Sequence, residues 1–313
     1  MRVLLVLLLV TPASLATAHE PPADALLATL PFLEHPERHR VVVDLAPEGG
    51  RPLVFIVDTG ATYTVATPRA AAELGIRVRR IKRDPYRRKT RLGRDVQIVV
   101  DTRTSDTASR TGWEYALLGG QFLADYVVEF DFGFRRMRFF DRKKYEIPEA
   151  VDAPDEAVLP LVVRQNRPAV ELLLQGEPVL VMVDTGAPPP LIVSGKIAEA
   201  AGLAKTATGR FETGGVMGAM VAELRITDEL ALGPFRFAGI PTIVHPRGWY
   251  NQGMPSGSVI GYELLAQFTV RIDYGRKRMW LKRRERAEPT FDGQAIDDEF
   301  LRRLRGEDAA PAP

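Results

Sequence analysis

Short apolar runs separated by turn residues dominate the pattern of hydrophobic and polar positions along this chain. Residues 41–45 and 53–57 are rich in β-branched side chains and flank a Pro-Glu-Gly-Gly turn, which predicts a β-hairpin. Four other runs have the same character and are predicted strands: residues 127–130, 170–174, 179–183 and 270–272. The only helices that the pattern predicts are short. The chain is therefore expected to be all-β.

The sequence also contains an internal duplication. Residues 55–61 (Phe-Ile-Val-Asp-Thr-Gly-Ala) reappear as residues 181–187 (Val-Met-Val-Asp-Thr-Gly-Ala), an offset of 126 positions. Residues 118–124 match residues 260–266 at an offset of 142, which continues through an Asp-Phe-Gly and an Asp-Tyr-Gly turn. The order of the matches is the same in both halves. We infer a tandem duplication of a unit about 100 residues long.

Each copy of the unit carries an aspartate at the end of an apolar strand, Asp58 in the first half and Asp184 in the second. A single Asp-Thr-Gly is weak evidence, because Asp and Gly are common turn residues. Two copies at matching positions would meet at a pseudo-twofold axis. Carboxylates that lie within hydrogen-bonding distance cannot both ionise cheaply and share one proton. Such a pair can serve as general base and general acid in one site.

The neighbours of the two aspartates fit the same site. The hydroxyls of Thr59 and Thr185 are suited to hydrogen bonds across the centre, and Gly60 and Gly186 let backbone N–H groups approach the carboxylates. The residue after each glycine is alanine, which cannot hydrogen-bond a carboxylate through its side chain. We therefore expect the pair to titrate at a higher pH than a pair with hydroxyl neighbours and to work best at mildly acidic pH.

These motifs resemble the retropepsin-like branch of the aspartic proteases. The resemblance rests on the two Asp-Thr-Gly-Ala copies and on the later motifs Leu117-Leu118-Gly119 and Val259-Ile260-Gly261. It implies two homologous β-barrel lobes related by a pseudo-twofold axis, a flap over the cleft between them, and hydrolysis of peptide bonds by an Asp58/Asp184 dyad. Because one chain carries both motifs, as in the pepsin arrangement, we expect a monomer whose lobes form an intramolecular pseudo-dimer.

A glycine-rich segment of the second half is the flap candidate. Its residues are Gly214, Gly215, Val216, Met217 and Gly218. The corresponding part of the first half is 16 residues shorter and lacks such a segment, so we predict a single flap. The shorter part contains a basic stretch, residues 77–94, which is interpreted as a solvated face or as a rim by the cleft that selects acidic peptides or an anionic envelope surface.

The first residues have the pattern of a secretory signal peptide. A basic start is followed by eight apolar residues and by Ala16-Thr17-Ala18, which predicts cleavage after residue 18. Eight apolar residues are far fewer than the roughly 20 that span a bilayer. We therefore expect an exported protein, periplasmic or secreted, with no integral membrane segment after cleavage.

These patterns predict the following domains: a signal peptide (1–18), an N-terminal lobe (38–142), a linker (143–157), a C-terminal lobe (158–283) and a polar, partly disordered tail (284–313). The sequence leaves open whether residues 20–40 are a propeptide that blocks the cleft.

Composition narrows the chemistry further. The chain has no cysteine, which excludes a thiol nucleophile, a thiolate metal site and disulfides. Its four histidines are scattered, so we expect neither metal nor cofactor. The net charge of +2 and the lack of nucleic-acid motifs predict no nucleic-acid partner. The expected function is an exported aspartic endopeptidase acting on peptides or proteins. The alternative is a catalytically weak or inactive module that binds peptides or cell-envelope components.

Overall fold

The structure is a computed structural model that describes residues 20–33, 39–45, 53–67, 70, 72, 86–89, 95–100, 116–203, 209–215, 218–245 and 257–284. The predicted signal peptide and all but the first residue of the predicted tail lie outside these residues. The described chain consists mainly of strands in two sheets, so the all-β prediction is confirmed.

The strands of the first half and of the linker region are β1 (Leu26–Pro31), β2 (Val42–Leu45), β3 (Leu53–Asp58), β4 (Thr64–Ala66), β5 (Tyr86–Lys89), β6 (Asp95–Val100), β7 (Ala116–Gly119), β8 (Val127–Asp131), β9 (Arg136–Phe140) and β10 (Glu156–Arg164). The strands of the second half are β11 (Arg167–Leu174), β12 (Glu177–Val183), β13 (Leu191–Ser194), β14 (Gly209–Gly215), β15 (Gly218–Thr227), β16 (Leu230–Leu232), β17 (Phe235–Phe237), β18 (Ile240–His245), β19 (Val259–Ile260), β20 (Phe268–Asp273) and β21 (Arg278–Arg283). Three helices have both ends within the described residues: Gly120–Leu123, Gly195–Ala200 and Tyr262–Leu265. A short 3-10 helix spans Ala23–Ala25.

The two halves share one strand topology. In the first lobe, β3 pairs in parallel with β7, β7 pairs antiparallel with β4, and β4 pairs in parallel with β6. In the second lobe, β12, β19, β13 and β18 repeat these three pairings in the same order. Each half also places a helix of four residues directly after the motif that ends in Leu-Gly or Ile-Gly. The duplication in the sequence is therefore a duplication of the fold.

A further set of strands joins the lobes, in the order β1-β9-β8-β20-β21-β10. We call this set the interlobe sheet. Its central pairing is antiparallel, between β8 of the first lobe and β20 of the second, and it sets Glu129 opposite Arg271. Because these two residues are 142 positions apart, they are equivalent in the duplication. The pseudo-twofold axis therefore passes between them.

The turns at the two ends of this pairing are also equivalent. Asp131 accepts a hydrogen bond from the backbone N–H of Phe134, and Asp273 accepts one from the N–H of Arg276. Each turn then passes through a left-handed residue, Arg135 with φ of 51° and Lys277 with φ of 56°. The repeat is therefore preserved down to individual backbone angles.

The predicted linker packs closely against the interlobe sheet. Tyr145 and Ile147 are buried in one cluster with Trp280. Linker acids also pair with bases of β21 and of the turn before it: Glu146 with Arg276, Glu149 with Arg278, and Asp155 with Lys282. Because β10 starts at Glu156, it includes the last two residues of the segment predicted as linker. The linker is thus a strap across the joint between the lobes.

The N-terminal segment is also part of the interlobe sheet. Strand β1 pairs antiparallel with β9, and Ala25 just before it is fully buried. The N–H of Phe32 donates to the carbonyl of Arg135, which continues the contact beyond the strand. Residues 26–31 therefore form the edge strand of this sheet.

Candidate active site

The two Asp-Thr-Gly loops begin where buried strands end. Asp58 is the last residue of β3, and Asp184 directly follows β12. Behind each loop runs the strand of the later motif, since Asp58 pairs with Gly119 and the N–H of Asp184 donates to the carbonyl of Ile260 at 3.0 Å. Two flat hydrophobic strands thus hold each aspartate at a fixed position.

Glycines at the end of the later motifs make this close packing possible. A side chain at Gly119 would overlap the carbonyl of Tyr63, and one at Gly261 would overlap the carbonyls of Pro189 and Ala187. Only glycine lets the backbone approach this closely.

Four hydrogen bonds join the loops to each other in a reciprocal pattern. The hydroxyl of Thr59 donates to the carbonyl of Val183, and the hydroxyl of Thr185 donates to the carbonyl of Val57, both at 2.6 Å. The N–H of Thr185 donates to the Thr59 hydroxyl at 3.1 Å, and the N–H of Thr59 donates to the Thr185 hydroxyl at 3.3 Å. Both threonines are fully or almost fully buried. The loops are therefore locked together about the pseudo-twofold axis.

The carboxyl groups of Asp58 and Asp184 meet at this axis and are joined by a hydrogen bond. Each also lies against the glycine of the opposite loop. A Cβ added to Gly60 would lie 2.5 Å from Cγ of Asp184, and one added to Gly186 would lie 2.8 Å from Cγ of Asp58. Both glycines are therefore required for the carboxyl groups to approach each other.

The two carboxyl groups differ in their proton affinity. Burial raises the pKa of Asp184 well above that of an ordinary aspartate, and the charge of Asp58 together with its hydrogen bond raises it further. Burial also raises the pKa of Asp58, but the hydrogen bond from Asp184, the N–H groups of Gly60 and Ala61, and the charge of Arg40 act against it. Because the rise in pKa is larger for Asp184, we assign the shared proton to Asp184 and the negative charge to Asp58.

This difference predicts how stability varies with pH. Because the pKa of Asp184 is higher in the folded chain than in the unfolded chain, its contribution to stability is present below about pH 4 and is lost as the pH rises through its folded pKa. Asp184→Asn cannot ionise, so we expect its Tm at pH 7 to exceed that of the wild type by several degrees, at roughly 2–4 °C per kcal/mol. The difference should vanish near pH 4.

Thermal unfolding followed by circular dichroism between pH 4 and pH 8 measures this effect. Asp152→Asn is the matched control, because Asp152 is an exposed aspartate of the linker. A difference between wild type and Asp184→Asn that stays constant with pH would contradict the assignment of the proton to Asp184.

Two residues near the dyad were not found from the sequence. Arg40 lies just before β2, and its positive charge lowers the pKa of Asp58. Tyr274 is buried, and both its burial and the charges of Asp58 and Asp184 raise its pKa. A signal for Tyr274 was present in the duplication, where its equivalent in the first lobe is Phe132. Arg40 had no comparable signal.

The flap candidate forms the end of a β-hairpin. Strands β14 and β15 pair antiparallel up to Gly215 opposite Gly218, with Gly214 opposite Ala219. Val216 and Met217 lie outside the described residues. The first lobe has a hairpin of its own, formed by β5 within the basic stretch and by β6 directly after it. Because β6 pairs in parallel with β4 as β18 does with β13, this hairpin corresponds to β15 and β18. In the described residues, β14 has no first-lobe counterpart.

The described residues contain no group of three His, Cys, Asp or Glu side chains with the geometry to hold a metal ion. None of the helices in the described ranges is long and apolar enough to cross a membrane.

The comparison with protein-family models points to the same family as the motifs. The model of the family described as aspartyl protease matches residues 43–87 and 170–264, one segment in each half. No curated protein matches the chain. One similar solved structure is a retropepsin-like aspartic protease from Rickettsia conorii, with 20% identity, coverage of 41% of this chain and 90% of that chain, and a TM-score of 0.31. Another is the Basic 7S globulin from soybean, with 10% identity, coverage of 86% and 96%, and a TM-score of 0.47.

The family match falls on both halves of the duplication, and each matched segment contains one of the paired Asp-Thr-Gly loops. The chain is thus similar to the aspartyl proteases in both of its halves and carries both Asp-Thr-Gly motifs in one polypeptide.

Proposed function

We propose that this protein is an exported aspartic endopeptidase, in which Asp58 and Asp184 activate a water molecule for the hydrolysis of peptide bonds. The observation that carries the proposal is the contact between the two carboxyl groups, held by the reciprocal threonine hydrogen bonds. The expectation of export rests on the basic, apolar and small-residue pattern of residues 1–18.

The unequal proton affinities assign a role to each aspartate. Asp58, as the carboxylate, takes a proton from the water while the water oxygen attacks the carbonyl carbon of the substrate. Asp184 gives its proton to the carbonyl oxygen, so that a neutral tetrahedral diol forms. In the second step Asp58 returns its proton to the amide nitrogen and Asp184 accepts one from a diol hydroxyl, and the C–N bond breaks. The dyad ends in its starting state, with no covalent adduct to the protein.

The hairpin of β14 and β15 is proposed as the flap over the bound peptide. Its end is rich in glycine, which gives a backbone the freedom that closing over a substrate requires. The hairpin belongs to the second lobe, as the sequence predicts for a single flap.

Digestion of denatured casein by the mature protein between pH 3 and pH 8 tests this function. We expect new N-termini, detected by mass spectrometry, with the highest rate at mildly acidic pH. The rate should fall at low pH as Asp58 gains a proton and at high pH as Asp184 loses one, because the pKa of each is raised above the ordinary aspartate value. A rate that still rises as the pH is lowered to 3, as an optimum near pH 2 requires, would contradict this assignment.

The same experiment separates the endopeptidase from the alternative, a module that binds peptides or cell-envelope components without cleaving them. Intact casein at every pH, together with saturable binding of a casein-derived peptide by calorimetry, would favour the module. The binding module is considered because the first half is altered: the part that corresponds to the flap region of the second half is 16 residues shorter.

A further inference from the structure

The pair Glu129 and Arg271 is a second contact on the pseudo-twofold axis, in addition to the contact between Asp58 and Asp184. Its atoms Oε2 and Nε are 2.6 Å apart, and both side chains are buried, with exposures of 0% and 2%. Since equivalent residues meet only on the axis, this pair and the Asp58/Asp184 pair mark two points of the same line. We call Glu129 and Arg271 the axis pair.

Each member of the axis pair also contacts other residues of the chain. Glu129 also accepts a hydrogen bond from Nε of Arg138 on the neighbouring strand β9. The guanidinium of Arg271 lies 4.0 Å from the centre of the Trp280 ring, on the neighbouring strand β21. It also donates to the Tyr145 hydroxyl of the strap at 3.2 Å. Both buried charges thus have several partners, as buried ions require.

The axis pair distinguishes the two lobes, whereas the contact between the Asp-Thr-Gly loops does not. At the dyad both lobes present the same residues, so the Asp-Thr-Gly loops would fit a copy of themselves equally well. At the axis pair the equivalents differ in charge, and Arg138 is equivalent to Trp280. A lobe paired with its own copy would bury Glu against Glu, or Arg against Arg. Like charges in a buried contact repel each other, and each would lose the oppositely charged partner across the axis.

We propose that the axis pair is a lobe-matching contact: it makes the first lobe accept only a second lobe as its partner, and it excludes pairing of either lobe with a copy of itself from another chain. It also holds the register of the interlobe sheet. A shift of β8 along β20 by two residues would set Glu129 opposite Asp273 or Thr269 and leave its buried charge without Arg271. The matching contact depends only on the described geometry and is independent of whether the protein cleaves peptides.

Two full-length variants test the proposal by making the lobes of one chain alike. R271E/W280R gives both lobes the Glu-and-Arg arrangement of the first lobe, and E129R/R138W gives both the Arg-and-Trp arrangement of the second. We expect each variant alone to lose the interlobe contact, with a larger hydrodynamic radius in size-exclusion chromatography with light scattering and a Tm at least about 10 °C below that of the wild type. An equimolar mixture should form a 1:1 complex, in which every lobe meets its opposite.

The fourfold exchange E129R/R138W/R271E/W280R controls for damage to folding. It transposes the same four residues between the lobes, so that one chain again carries unlike lobes. We expect it to be a single chain by light scattering, with a Tm within about 5 °C of the wild type. The proposal is overturned if either double variant alone keeps the wild-type radius and Tm, if the mixture forms no 1:1 complex, or if the fourfold exchange fails to restore the wild-type behaviour.

Discussion

Replacing either aspartate of the dyad with asparagine is expected to lower the rate of casein cleavage by at least about 10³-fold at the pH optimum, because general acid–base catalysis contributes about 10²–10⁴ for each group. Asp58→Asn removes the carboxylate that takes the proton of water, and Asp184→Asn removes the proton that is given to the carbonyl oxygen. Both amides are nearly isosteric with the acids. The hydrogen bond from the Gly186 N–H to Oδ1 of residue 184, 2.8 Å long in the wild type, can persist in Asp184→Asn.

The measurement is the initial rate of peptide release, together with circular dichroism and the Tm of each variant. Asp152→Asn, in the exposed part of the strap, is the control and should retain the wild-type rate. Substantial cleavage by either dyad variant, at more than about a tenth of the wild-type rate, would refute the mechanism.

The second large effect is expected from the glycines of the two loops. Gly60→Ala places a Cβ 2.5 Å from Cγ of Asp184, and Gly186→Ala places one 2.8 Å from Cγ of Asp58. Because these distances are too short for any contact between carbon atoms, the opposite carboxyl group has to turn away and the shared proton is lost. We expect each variant to lose at least about 10²-fold in cleavage rate, the lower end of what one acid–base group contributes. The strands that carry the loops should still form.

Gly275→Ala is the matched control. Its Cβ would lie 3.5 Å from the nearest atom, Oδ1 of Asp273, and this distance is an ordinary van der Waals contact. It should keep both the wild-type rate and the wild-type Tm. If Gly60→Ala were as active as Gly275→Ala, the close approach of the carboxyl groups would not be needed for the reaction.

The duplication explains why the centre of the molecule could be predicted from the sequence. Strands such as β3 and β12 carry their pattern locally, in β-branched residues bounded by turns. The repeated Asp-Thr-Gly then indicated which two loops meet, and the structure brings Thr59 and Thr185 together. Two identical motifs at equivalent positions contain this long-range information, which a single motif does not.

Other contacts had no such local signal. The strap was predicted as a linker because its charges show no apolar period, yet Tyr145 and Ile147 are buried and its acids pair with β21. Likewise, nothing in residues 26–31 indicates that their partner is β9, more than 100 positions away. Such pairings depend on which edges and faces remain uncovered after the lobes form, and this is a property of the whole fold.

The axis pair could be predicted from the sequence only in part. Glu129 and Arg271 occupy equivalent positions of the duplication and have opposite charges, so a comparison of the halves contained the signal. The sequence alone did not show that β8 and β20 pair in the register that brings these residues together. A charge difference between the repeats predicts an ion pair only when the register of the two strands is known.

The order of strands in the interlobe sheet has a consequence for the timing of biosynthesis. Strand β21 lies between β20 and β10, and it is the last described strand of the chain. The sheet of the first lobe can close once residue 119 has left the ribosome, but the sheet that aligns the lobes stays incomplete until residues 278–283 have been made. A chain that ends before residue 278 therefore contains both Asp-Thr-Gly loops and the strands β8 and β20, but it lacks the strand that ties β20 to β10. The C-terminal strand thus completes the sheet between the lobes, and a chain that ends before it lacks this support for the two loops.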